Sequence, residues 1–161
     1  MSDTASALRA AIDSALPRLE AISEAASAKR PAPGKWSARE IIGHLIDSAA
    51  NNHARFVRAQ ASDDLVFPGY AQMDWVRTQH YQEAPWNALV TLWASYNRHL
   101  AYVIARVPLE VANQRRVRHN LHEIAWRTVP ADQPATLAYF MADYVGHLEH
   151  HLNQVWAATR P

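Results

Sequence analysis

Apolar residues recur along this chain every three to four positions over four separate stretches, with polar residues on the intervening faces. That spacing is the α-helical period rather than the alternation of a half-buried strand. The first stretch, from about Thr4 to Ala28, carries Leu8, Ile12, Ala15, Leu16, Leu19 and Ile22. Pro17 lies within it and is expected to kink the helix or divide it, because proline lacks the backbone donor and collides with the preceding turn. The second opens at Ser37, where a serine stands three residues before Glu40 in the pattern of a capping box, and runs to about Ala61. The third begins with Pro85 as a first-turn residue and continues through Leu89, Leu92, Trp93, Tyr96, Leu100 and Val103 to Pro108. The fourth spans about Pro134 to Thr159, with Leu137, Phe140, Met141, Tyr144, Leu148, Leu152 and Val155 as its stripe.

The pattern predicts an all-α fold, a four-helix bundle with long inter-helix loops, forming a single domain over residues 1–161. Residues 62–83 and 108–133 are long connections for a simple bundle, and long ordered loops tend to cover functional sites. At 161 residues and 49% hydrophobic content the chain can bury one full core. Sixteen basic and 15 acidic residues are interspersed for a formal charge of +1, so neither a nucleic-acid footprint nor a polybasic membrane anchor is expected. The absence of cysteine excludes disulfides, thiolate metal ligands and a cysteine nucleophile. With no secretory pattern at the N-terminus and no segment approaching a membrane span, the expected location is cytoplasmic.

Candidate chemistry centres on histidine. His147 and His151 stand four residues apart in DYVGHLEHHLNQVW, about 40° around a helix, so both imidazoles point the same way. His151 falls inside the apolar stripe and His147 at its edge, while His150 points away towards Asp143 and Asn153. Two inward imidazoles repel when charged and need partners when neutral; a shared metal ion meets both conditions. A core histidine beside a boundary histidine is the alternative. On the second helix Ile41, Leu45, Ala49 and Phe56 form the apolar face, and His44, Ser48, Asn51 and Arg55 a polar stripe along its flank. That stripe is either a solvated face or one side of a site shared with His147 and His151 across the bundle.

Several other residues bear on a site. Asp47, Asp74, Asp143 and Glu149 are the acids to consider as partners of metal-bound imidazoles or as a base. His99 is either an alternative ligand or a hydrogen-bonded core residue. His119 and His122 stand near Arg115, Arg116 and Arg118, a cluster that fits an anionic substrate or simply an exposed charge run. Trp36, Trp75 and Trp126 are candidates for lining a pocket. Arg55 would bind a carboxylate there or pair with a loop acid.

The run PAPGKWSAREIIGHLIDSAANNHARF, followed far downstream by DYVGHLEHHLNQVW, resembles the DinB-like superfamily and within it the YfiT-like metalloenzymes. The resemblance extends from about Pro31 to Trp156 and includes Asp74-Trp75 and the region of Trp126. It implies a four-helix bundle that binds a divalent metal through three histidines, one from the second helix and two from the last. Carried over by position, these are His44, His147 and His151. It also implies a homodimer and a small-molecule substrate, with nickel or zinc as first candidates for the metal and manganese or iron as others. DNA repair is not implied. A set of three neutral imidazoles leaves coordination positions open, the catalytic rather than the structural arrangement. Three functions follow: a metal-dependent hydrolase of a small molecule, a metal-dependent S-transferase or isomerase using a low-molecular-weight thiol cosubstrate, or a non-enzymatic metal-binding stress-response module.

Overall fold

The first helical stretch divides, but not at Pro17. In the computed structural model, which describes residues 2–160, α1 (Ser2–Glu20) runs through the proline and ends at Glu20, after which Ile22 donates three residues back to the Leu19 carbonyl at 3.1 Å. The chain restarts under a Ser23 side-chain cap as α2 (Glu24–Ala28). The capping box forms as its sequence requires: in α3 (Ala38–Ala59) the Glu40 amide donates to Ser37 Oγ, and the Ser37 amide donates to Glu40 Oε2. The connection that follows holds α4 (Gln72–Thr78) and a 3₁₀ turn at Tyr81–Glu83, entered through His80 in the left-handed region at φ 53°. α5 (Trp86–Ile104) starts directly after Pro85 and stops short of Pro108, its last turn tightened by Arg106 and Val107 amides bonding three residues back. After the short α6 (Leu109–Asn113) and α7 (Leu121–Ile124) comes α8 (Leu137–Ala158). Its start is later than the expected Pro134, because Ala135 exchanges both backbone hydrogen bonds with Arg116 and Thr136 caps the helix.

The four long helices pack in the cyclic order α1, α5, α3, α8: α1 lies against α5 and α8, and α3 against the same two. Consecutive long helices α1 and α3 are therefore diagonal partners, which is why the segment between them must cross the end of the bundle. The core is built from Leu8, Ile12 and Leu19 of α1, Ile42, Leu45 and Phe56 of α3, Trp93, Leu100 and Ile104 of α5, and Phe140, Tyr144 and Leu148 of α8, all buried. Each such side chain contributes roughly 1.5–3 kcal/mol of transfer free energy. Leu92, expected on the buried face of α5, is instead 49% exposed; the helix is rotated so that Trp93 and Asn97 face inward, where the Tyr144 hydroxyl donates to Asn97 Oδ1 at 2.5 Å.

Among the described residues there is no strand, and no helix is long and apolar enough to cross a membrane. Residues 1 and 161 of the expected domain lie outside the described residues. The long loops are nevertheless ordered against each other. Leu65 pairs with the segment around His119, its amide donating to the Arg118 carbonyl at 3.0 Å and its carbonyl accepting from Asn120 at 3.2 Å. The Asn120 side chain then bonds both backbone groups of Phe67. This clamp delivers Pro68, Gly69 and Tyr70 to the flank of α3, above the polar stripe.

Candidate metal centre

Because α3 and α8 are neighbours, the polar stripe of one meets the histidine pair of the other. His44, His147 and His151 each offer one ligating atom, and these atoms all lie within 4.8 Å of one another. The Nε2 atoms of His44 and His147 approach to 3.3 Å, and the ring centroids of His151 lie 4.6 Å from His44 and 4.5 Å from His147. His44 is fully buried, whereas His147 and His151 are half-buried at a cavity wall. Burial, and then the neighbouring imidazoles, disfavour the protonated forms: His44 is pushed down to about 3, His147 to about 2, and His151 below its ordinary value mainly by burial. At neutral pH the cluster is therefore three uncharged rings whose lone pairs converge.

The donor set fits a divalent ion. One N–H···N hydrogen bond can join the two Nε2 atoms at 3.3 Å, but it leaves the third converging imidazole without a donor, whereas a shared cation takes a lone pair from all three. His151 presents Nε2 to the cluster because its Nδ1 faces Gln154 Oε1 at 2.8 Å, an acceptor that places the ring proton on Nδ1. The Gln154 amide nitrogen in turn faces His150 Nε2 at 3.1 Å. His147 has Ser48 Oγ at 3.4 Å from its Nδ1, and His44 Nδ1 is buried without a hydrogen-bond partner.

The acids expected beside these rings go elsewhere. Asp47 accepts from the Tyr81 hydroxyl at 2.7 Å and from Gln79 at 2.8 Å, with its second oxygen buried and unpartnered. Asp143 accepts the backbone amides of Trp126 and Arg127, both at 2.8 Å, and so pins that loop onto α8. Asp74 pairs with Arg77 at the surface, and Glu149 is exposed beside Arg18 and Trp156. Among the described residues none of the four bonds a cluster histidine. The polar partners are the neutral Ser48 and Gln154. Ser48 stands on the stripe one turn after His44; Gln154 stands one turn after His151, and only that spacing signalled it.

The polar stripe is not a solvated face. His44, Ser48 and Arg55 are buried, and only Asn51 is half-exposed. His99 lies away from the cluster, exposed, with its ring against His53 at 5.0 Å. The basic cluster near His119 is largely structural: Arg116 is buried and donates to the Ala59 and Val111 carbonyls, His119 bonds Gln133 and Leu121, and Arg118 pairs with Asp64 at 3.6 Å.

His147 and His151 open onto a cavity of about 380 Å³ whose walls include Ser48, Arg55, Tyr70, Trp126 and Asp143. Tyr70, which the sequence pattern did not mark, is brought there by the Phe67–Asn120 clamp; burial, followed by the Asp47 charge, raises its hydroxyl above the ordinary range and keeps it a proton donor. Trp126 fits over α8 because residue 146 is glycine: a Cβ there would stand 2.9 Å from the indole. Trp75 packs against Tyr70 with the rings tilted by 55° and their centroids 5.1 Å apart, and remains 40% exposed. A second cavity of about 560 Å³, which shares His151, is lined by Trp36, Ile41 and Met73.

The DinB superfamily model matches residues 7–155. A solved structure of similar fold is YfiT from Bacillus subtilis, described as a probable metal-dependent hydrolase with an unusual four-helix bundle topology. Its TM-score is 0.78 at 16% identity, over 98% of this chain and 85% of that one. No curated protein matches the sequence.

Proposed function

The chain belongs to the DinB superfamily, and from that premise we propose that it is a divalent-metal-dependent hydrolase of a small molecule, with His44, His147 and His151 as the ligands. The observation that carries this reading is the convergence of three neutral, low-basicity imidazoles at the wall of a cavity, two of them with facing Nε2 atoms at 3.3 Å. The description of YfiT as a probable metal-dependent hydrolase supports it from a protein of similar fold. A divalent ion on such a set supplies Lewis acidity and lowers the pKa of a water ligand from 15.7 to about 7. Three histidines leave at least one position open to substrate.

The residues around the set have definable tasks. Gln154 holds the His151 ring in the tautomer that presents Nε2, and Ser48 fixes the rotation of His147. Tyr70, protonated and at the cavity wall, is positioned to donate a hydrogen bond to an oxygen that gains charge during attack on an ester or amide carbonyl. Trp126 and Phe140 supply apolar surface to the same cavity.

Equilibrium dialysis of tag-free protein against zinc, nickel, manganese and iron(II), followed by elemental analysis and ester and amide hydrolysis assays, tests the reading. One ion per chain and metal-dependent turnover support it. Turnover that requires an added low-molecular-weight thiol would reassign the reaction to thiol transfer, and failure to take up any of the four metals would end the metalloenzyme reading.

A further inference from the structure

The cavity beside the histidines contains a buried cation with no anion to balance it. Arg55 is only 5% exposed, yet its guanidinium lines the cavity rather than an ion pair. It donates to the Pro68 carbonyl at 2.8 Å and to Asn52 Oδ1 at 3.5 Å, both neutral acceptors, and no carboxylate lies within ion-pair distance among the described residues. A guanidinium has five N–H donors, so most of its capacity is unused. The two acids on the same wall do not supply the missing charge: Asp143 is taken up by two backbone amides, and Glu123 is an exposed residue whose oxygens face Asn120 and His122.

Arg116 shows what a purely structural buried arginine looks like in this fold. It too is buried and donates to two backbone carbonyls, but the Asp63 and Asp64 charges lie nearby and it lines none of the cavities around the cluster. Arg55 differs on both counts. Holding the Pro68 carbonyl requires one donor, not a full guanidinium whose other contacts, Asn52 and the Phe140 ring 5.9 Å from Cζ, are uncharged. Arg55 also lies on the same stripe as His44, three turns further along α3, on the order of 16 Å at 1.5 Å per residue. Its side chain leans back towards the N-terminus and shortens that gap.

We infer that Arg55 anchors the carboxylate of a small anionic substrate or ligand whose opposite end reaches the His44–His147–His151 cluster. A planar carboxylate matches the guanidinium fork, and a single buried cation balances a single negative charge. A phosphate dianion would lack a second cation on this wall. The inference rests on the proposed metal-dependent reaction for the meaning of the opposite end; the anchoring itself depends only on Arg55.

The test uses metal-free protein at pH 8, titrated by NMR with the monoanion butyrate, with its neutral amide butyramide and with inorganic phosphate. Expected are saturable butyrate binding to wild type, at least tenfold weaker binding of butyramide, at least tenfold loss in Arg55→Gln, and a smaller loss in Arg55→Lys, which keeps charge without the fork. Thermal unfolding confirms which variants are folded; if Arg55→Gln is not, the Arg55→Lys loss and the butyramide comparison decide. Absence of saturable butyrate binding to wild type, equal affinity for butyramide, tighter binding of phosphate, or undiminished binding in Arg55→Gln would overturn the inference. Metal uptake by wild type is scored separately: butyrate binding that needs Arg55 in a chain that takes up no metal upholds the anchor and sinks the hydrolase.

Discussion

His44 Nε2 and His147 Nε2 face each other at 3.3 Å across the α3–α8 contact, one ring fully buried and the other half-buried. Neither ring has a carboxylate partner, and the third imidazole adds another lone pair to the same point, which a bound cation would take together with the other two. His44→Ala, His147→Ala and His151→Ala are each expected to reduce metal content from about one ion per chain to less than a tenth of that. His150→Ala should retain it, because His150, although it lines the same cavity rather than pointing away as its helical position suggested, packs on Trp126 and Gln154 and lies outside the three-histidine cluster. Elemental analysis after dialysis checks all four, and equal loss in His150→Ala would show that the ligand set is assigned wrongly.

Gln154 reaches the cluster only through His151. Replacing it with leucine keeps the bulk and removes the acceptor that places the proton on His151 Nδ1. Metal affinity is expected to weaken about 10–100-fold, the usual effect of losing an outer partner. Asp74→Asn should leave it unchanged, since Asp74 pairs with Arg77 at the surface. Competition with a chromophoric chelator measures both.

Gly43 sits against the face of Tyr81, where a Cβ would fall 2.2 Å from the ring. Gly43→Ala therefore has to displace Tyr81 and break its hydrogen bond to the already under-satisfied Asp47. A loss of about 1–3 kcal/mol is expected from overpacking, with more from the orphaned carboxylate. Urea unfolding of Gly43→Ala beside Tyr81→Phe separates the two contributions, because the second variant removes only the hydroxyl.

Asp143 ties the loop bearing Trp126 to α8 through two amide hydrogen bonds. In Asp143→Asn one side-chain oxygen becomes an NH₂ facing a backbone N–H, so a cost of about 1–3 kcal/mol is expected. Hydrogen exchange at residues 126 and 127 should accelerate while exchange in the core of α3 follows only the global change. Unchanged exchange at those two amides would show that the loop is held by other contacts.

Acid should destabilise the metal-free protein through its histidines. His44 and His147 have folded-state values near 3 and 2, far below an unfolded value of about 6.5, so below pH 6.5 the unfolded chain binds more protons than the folded one. Stability is complete above pH 6.5 and falls as pH drops towards the folded values, by up to about 1.4 kcal/mol per pH unit for each histidine. Asp47 and Asp143 are shifted upward by burial and act in the opposite sense. Urea midpoints between pH 7.5 and 5, compared between wild type and the His44→Ala, His147→Ala double variant, isolate the histidine effect. A flat profile there in wild type, or an unchanged slope in His44→Ala with His147→Ala, would contradict it.

Much of this molecule is legible in its sequence because helical periodicity and capping are local. The Ser37–Glu40 box and the shared face of His147 and His151 each depend on residues within a turn or two of one another. Helix ends set by distant partners were misplaced: α8 begins after Ala135 because Ala135 pairs with Arg116, and periodicity within the fourth stretch carries no trace of that pairing. The acids were misjudged for the same reason. Proximity in sequence put Asp143 near His147, while a loop some 16 residues away captured its carboxylate.

Local spacing by itself determined the four helices, their apolar faces and the candidate histidines, since each follows from the angle between residues a few positions apart. Tertiary structure alone decided that α1 and α3 are diagonal, that His44 meets His147 at 3.3 Å, that Ser48 and Gln154 rather than acids attend the rings, and that Tyr70 and an unpaired Arg55 share their cavity. Those outcomes depend on which helix faces which and on where long loops are clamped. They arise from burial and hydrogen bonding summed over the whole chain, which no short window of residues contains.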